Sequence, residues 1–390
     1  MTPSPTPTSG NGFRTSVVLA VAGAHFFHDV FTALLAPLLP LIIDKLGLSL
    51  LLAGSLVVIS QIVSLFNPLL GSLVDRYHLH RVLIILAPGV TGTLMCLVGV
   101  APSYAVLVVL LLTVSCSMAA LHVAGPVWIG QYSGSTIGKG LSFFMVGGEL
   151  ARTVGPLVAV QLVAFLGLEG MWRIAPVAAV SSLVLWWRLT GVPEVRPAGR
   201  PARLTQVWGR MRTVILGVAG ILMARAFLVG GLTTFLPTYL YGAGSSFWFA
   251  NISLSVLELA GAAGAFLSGT LSDRWGRRGV LLVALALSPP LMLAFLSVTG
   301  PLRLLVLVAL GLVTFATTPV LMAVMIENSG ADSAAANGTF MMMSFSLRAL
   351  IILAVGAMGD TLGLHTTYLL CAAMAAIGLP FLLLLPARHH

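Results

Sequence analysis

GSLVDRYHLHR, Gly71–Arg81, and GTLSDRWGRR, Gly269–Arg278, are the two stretches whose reading decides the fold. Each follows a long apolar run, and both read G-x-L-x-D-R. Asp75 and Asp273 stand 198 residues apart in a chain of 390. A motif repeated at half the chain length points to two parallel copies of one structural unit.

Composition says what the unit is made of. Hydrophobic residues make up 58% of the chain and charged residues 8%, too few charges to cover a soluble surface. Apolar runs long enough to cross a bilayer recur along the whole length. The runs place spans near 16–43, 50–74, 82–101, 104–131, 140–166 and 172–190, and again near 213–241, 247–271, 279–298, 302–327, 337–359 and 365–386. The expected fold is an all-α membrane protein of twelve transmembrane helices in two six-helix pseudo-repeats. The expected division is a disordered Pro/Thr/Ser-rich tail (1–12), a first bundle (13–190), a Pro/Gly/Arg-rich linker on one membrane face (191–212) and a second bundle (213–390). The first run is too long for a signal peptide and reads as a retained helix. His389 and His390 are either native or a tag.

The net charge of +9 is a matter of topology rather than of nucleic-acid binding. With the N-terminus inside, fourteen Lys and Arg fall in cytoplasmic segments. Three (Lys45, Arg173 and Arg303) fall opposite, and Arg152, Arg225 and Arg348 lie mid-span. That bias puts both termini in the cytoplasm of a cell (inner) membrane protein. Trp128, Trp172, Trp186, Trp187 and Trp275 fall near span ends, where interfacial anchors sit. Cys96, Cys116 and Cys371 lie within apolar runs without paired spacing and read as packing residues. 

Within the repeat, Gly71 and Gly269 are expected to admit a close neighbouring helix. Asp75 and Asp273 are expected to meet the positive end of another helix. Arg76, Arg81, Arg274, Arg277 and Arg278 are expected to hold the turn and to pair with acids across a conformational gate. The first copy has Tyr77-His78 where the second has Trp275-Gly276, so its turn is expected to be looser.

The duplicated motif resembles the signature of the major facilitator superfamily, across the whole chain. A narrower resemblance is to the fosmidomycin-resistance group of that superfamily. It rests on HFFHDVFTALLAPLLPLI (His25–Ile42) and MVGGELARTVGP (Met145–Pro156). Where that group shows His-Pro-Glu in span 4, this chain has His122-Val123-Ala124, so the acid is missing. The resemblance implies export of a small amphiphilic or anionic organic compound. The expected protein is a monomeric, proton-coupled secondary transporter working by alternating access, with proton-coupled uptake of an organic anion as the alternative because the span-4 acid is absent.

Charges inside a bilayer cost about 2.5–3.5 kcal/mol each even on the lenient scale, so they mark a passage. Here they are His25, His28, Asp29, His122, Glu149, Arg152, Arg225, Glu258 and Arg348. Spacing puts His25, His28, Asp29 and Thr32 on one side of their helix, and Glu149 within pairing distance of Arg152. Asp29 with His28 is the first choice for proton coupling, with Glu149 and Glu258 as alternatives. His25, His122, Arg152, Arg225 and Arg348 are the substrate-binding choices. Glu149–Arg152 equally reads as a structural pair, and the histidines as packing residues. With no H-E-x-x-H, no G-x-S-x-G, no clustered metal ligands and no cofactor motif, neither an enzyme nor a resident metal or cofactor is expected.

Overall fold

The computed structural model describes residues 12–193, 204–329 and 333–386. Among them nine helices are long and apolar enough to cross a membrane. The longest such stretch, Ala336–Leu384, breaks at Gly363, whose φ of 75° is open to glycine at little cost, and so supplies two passes. Two further passes are too broken or too short to be counted by length. The twelve are α1 (Thr15–Leu46, interrupted at Ala33 and Leu34), α2 (50–77, through a 3₁₀ stretch Ile62–Phe66), α3 (His80–Val100), α4 (Tyr104–Tyr132), α5 (Ile137–Leu166) and α6 (Ala175–Leu189). Then come α7 (Leu204–Gly242), α8 (Phe247–Trp275), α9 (Arg277–Ser297), α10 (Leu302–Glu327), α11 (333–362) and α12 (364–384). The expected tail lies almost wholly outside the described residues, as do 194–203 of the expected linker and 387–390. The end of that linker is already helical from Leu204, with a kink at Met211.

Large apolar side chains face outward, among them Leu69, Phe165, Phe266 and Leu383. Such exposure suits hydrocarbon and not water. Trp172, Trp186, Trp187 and Trp275 are exposed near helix ends, as anchors are. Trp128 is not: it is fully buried, with its ring 5.3 Å from that of Tyr132. A helix end buried among neighbours has no interface to reach. Cys96 and Cys371 are buried as expected, whereas Cys116 is exposed.

An even number of passes puts both chain ends on one face, here termed the terminal face. The core is divided differently near the two faces. One cluster joins both bundles: Leu38 and Ile42 of α1 and Leu56 of α2 pack with Leu232 and Phe235 of α7 and Ile352 of α11. Two others each stay within one bundle, around Trp128 in the first and Phe340 in the second. The shared cluster lies toward the far face, and the separate ones toward the terminal face. The bundles are therefore closed together on the far face and parted on the terminal face.

A polar clasp completes the closure. Asp360 of α11 accepts from the backbone N–H groups of Leu50 (2.6 Å) and Leu51 (2.9 Å) at the start of α2. It serves as a helix cap donated by the other bundle.

The motif turns stay within their own bundles. Asp75 Oδ1 is 3.0 Å from Nε2 of His80, the first residue of α3, and Asp273 Oδ1 is 2.6 Å from Nη1 of Arg277, the first residue of α9. Arg277 also pairs with Glu327 at 2.6 Å, Arg278 donates to the carbonyls of Leu383 and Leu385, Arg81 donates to the Val192 carbonyl, and Arg76 lies over Tyr77. Each of these contacts keeps to one bundle, on the face where the bundles are apart. With the bundles parted there, the expected close helix approach at Gly71 and Gly269 is not seen. A β-carbon on Gly269 would meet nothing within 4 Å, and one on Gly71 only Val123 at 3.7 Å. Nor is the first turn loose. His78 closes it in the left-handed region (φ 53°) with a cap to the Val74 carbonyl.

Candidate functional site

Glu149, Arg152, Arg225, Glu258 and Arg348 gather between the two bundles. From α5, Arg152 makes a close ion pair with Glu149 one turn earlier, the pairing the i, i+3 spacing predicts. Its Nε also lies 3.5 Å from Oε2 of Glu258 on α8. That contact crosses from one bundle to the other. The Arg152 and Glu149 side chains are 42% and 30% exposed, that of Glu258 8%. Glu258 Oε2 has no hydrogen bond; it has a long contact to a cation already held by another acid, and Arg348 lies within electrostatic reach.

Two arginines of the second bundle lie near this pair. Arg225 of α7 donates to Thr318 Oγ1 at 2.8 Å, and Arg348 of α11 to Thr233 Oγ1 at 3.2 Å. Among the described residues neither has a carboxylate within 4 Å, and the Nε of each has no acceptor. They are within electrostatic reach of each other. Arg348 also lines a cleft of about 420 Å³ between α2 and α11, with Val57, Gln61, Phe345 and Ile352. Two guanidinium groups satisfied only by hydroxyls leave donors free for an anionic group, which bidentate geometry suits.

Asp29 belongs to a separate cluster inside the first bundle. His28 Nδ1 donates to its Oδ1 at 2.7 Å, and His25 Nε2 lies 3.2 Å from its Oδ2. His122 of α4 joins from 97 residues away, with Nε2 at 3.2 Å from His25 Nε2. α5 closes over them: a β-carbon on Gly148 would stand 2.7 Å from His25 Cε1. Sequence spacing identifies the α1 face but not its partner, because His122 carries no local pattern. It likewise missed the Asp360 clasp, since one aspartate at a helix end has no signature. On the far face, Lys45 donates to the Gly99 carbonyl (2.8 Å) and to Glu169 Oε1 (2.7 Å), and this hydrogen bond and charge hold the Glu169 carboxyl below its ordinary range.

Two six-helix bundles that close on one face, with charged groups at mid-membrane between them, define a polytopic transporter rather than an enzyme. Residues 21–352 match the sequence profile of the Major Facilitator Superfamily, and the chain belongs to that family. It is 24% identical over 383 residues to the uncharacterized MFS-type transporter YfnC of Bacillus subtilis (94% of this chain, 92% of that one). It is 23% identical over 410 residues to the fosmidomycin resistance protein of Escherichia coli (100% and 99%). Its fold is similar to that of a bacterial homolog of the human lysosomal transporter Spinster in an inward-facing and occupied conformation (TM-score 0.79, 16% identity, 98% and 97% covered). It is also similar to that of a D-xylose–proton symporter (TM-score 0.75, 15% identity, 95% and 97% covered).

Proposed function

We infer that this chain is a proton-coupled secondary transporter that exports a small organic anion across the inner membrane by alternating access of its two bundles. The observation that carries the reading is the Arg152–Glu258 contact, which joins the bundles beside two arginines that have no carboxylate within 4 Å among the described residues. Glu258 is the acid we assign to the proton. Protonation would remove its charge, leave Arg152 to Glu149 and free the bundles to move. Arg225 and Arg348 are the assigned anion ligands. Asp29 with His28, the first choice from sequence alone, meets its partners within one bundle, so a proton there has no direct hold on the opening between the two.

The excess of Lys and Arg on the terminal face supports a cytoplasmic location for both chain ends. The present conformation is then open to the cytoplasm. Uptake with protons is the second reading, favoured by the absence of an acid after His122.

Proteoliposomes with an imposed pH gradient test both. Export by exchange predicts that a proton gradient drives the anion the opposite way, uptake that both move together. Glu258→Gln is expected to keep anion binding and exchange but to lose accumulation against a gradient. A Glu258→Gln protein that still concentrates solute would overturn the assignment.

A further inference from the structure

Two helices of the first bundle, α1 and α4, bring three lone pairs to one point. His25 Nε2 lies 3.2 Å from Asp29 Oδ2 and 3.2 Å from His122 Nε2, and His122 Nε2 lies 3.8 Å from the same carboxylate oxygen. Neutral rings have no proton to offer there. His25 Nδ1 is 2.7 Å from the Phe144 carbonyl oxygen, and His122 Nδ1 is 2.9 Å from that of Met118. A carbonyl only accepts, so each ring commits its N–H to the backbone and turns a bare Nε2 inward. The other oxygen of Asp29 accepts from His28. With both rings neutral, the centre of the cluster is made of acceptors alone, a setting that suits a cation, either a proton or a metal ion.

Spacing indicates which cation. A tetrahedral ion with bonds of about 2.0–2.1 Å holds its ligand atoms about 3.3 Å apart. The three separations here, 3.2, 3.2 and 3.8 Å, lie around that value. A proton bridges two atoms and leaves the third unmet. Two imidazoles and a carboxylate form a zinc-type ligand set. Each ligand also has the outer partner that metal sites use: a carbonyl behind each imidazole and His28 behind the carboxylate. Room and access are present. Glycine at 148 leaves vacant the place where a β-carbon would stand 3.4 Å from Asp29 Oδ2, and the His122 side chain is 29% exposed. Arg152, within electrostatic reach of Asp29, is engaged by Glu149 and Glu258.

We propose that His25, His122 and Asp29 form a binding site for a divalent transition-metal ion of the zinc type, with its fourth position open to water or to a donor atom of the solute. All three ligands belong to the first bundle, so the ion would travel with that bundle through the transport cycle. The inference is independent of the proton assigned to Glu258, and its test contains no transport step.

The test is a Co²⁺ titration of the purified full chain with His389 and His390 deleted, which removes a competing terminal chelator. One Co²⁺ per chain is expected, with the visible absorption band of a tetrahedral site, displaced by equimolar Zn²⁺. His122→Ala alters a partly exposed residue, and its fold is checked by gel filtration and thermal melting; it is expected to abolish the band, as is Asp29→Asn. His28→Ala is expected to weaken binding about 10–100-fold, the usual effect of losing an outer partner. His365→Ala, at the far end of α12, is expected to change nothing. A chain that binds no Co²⁺ stoichiometrically, as a proton-only cluster would, overturns the proposal. So does a band that survives His122→Ala.

Discussion

Removing the Asp360 carboxylate is expected to open the far face. Its two oxygens accept from Leu50 N–H and Leu51 N–H at 2.6 and 2.9 Å, and these donors belong to the other bundle. A side-chain cap contributes about 0.5–2 kcal/mol, and a carboxylate at a helix start adds about 0.3–1 kcal/mol. Asp360 is exposed, and once the bundles part water satisfies both N–H groups, so the low part of each range applies. The clasp then favours the far-closed state by about 1–2 kcal/mol, a factor of about 5–30 in the conformational equilibrium. Spin labels at Asp44 and Leu362 on the far face, and at Tyr77 and Trp275 on the terminal face, would report it by pulsed electron–electron distance measurement. Cys116 is first replaced by serine, since it is the exposed native thiol. Asp360→Ala should lengthen the far-face distances and shorten those on the terminal face. Asp360→Asn, which keeps one acceptor oxygen, should fall between. Distance distributions of Asp360→Ala that superpose on those of the parent would refute the clasp.

Four further outcomes are expected. Gly356→Val should shift the same equilibrium in the same direction, because a β-carbon there meets backbone atoms of Leu50 and Leu51 at 2.8 and 2.9 Å, and backbone cannot turn aside; the same labels report it. His78→Gly should raise thermal stability by about 1–2 kcal/mol, the cost of a left-handed conformation at a residue with a side chain; an unchanged melting temperature would argue against that strain. Arg348→Gln should weaken binding of organic anions, read by thermal shift with a panel of carboxylates and phosphonates, while leaving neutral ligands unaffected. The Lys45–Glu169 pair should contribute fully above the ordinary carboxylate range and be lost only as pH falls through the depressed Glu169 value; the melting difference between parent and Lys45→Gln should be the same at mildly acidic and at alkaline pH.

The chain's apolar runs and its duplicated G-x-L-x-D-R turn determine twelve membrane passes in two related bundles by themselves. Hydrocarbon demands long apolar helices, and a repeat leaves its mark at a fixed offset. Helical periodicity likewise reveals which residues share a face, as it does for His25, His28 and Asp29, or for Glu149 and Arg152. Only tertiary structure decides which faces meet. His122 enters the Asp29 cluster from α4, Glu258 reaches Arg152 from the opposite bundle, and Asp360 caps a helix some 310 residues earlier. The parting of the two bundles is equally invisible in the sequence, and it left Gly71 and Gly269 without close neighbours. Contacts of this kind follow from how two bundles rest against each other. One sequence supports more than one such arrangement, because a transporter must adopt several.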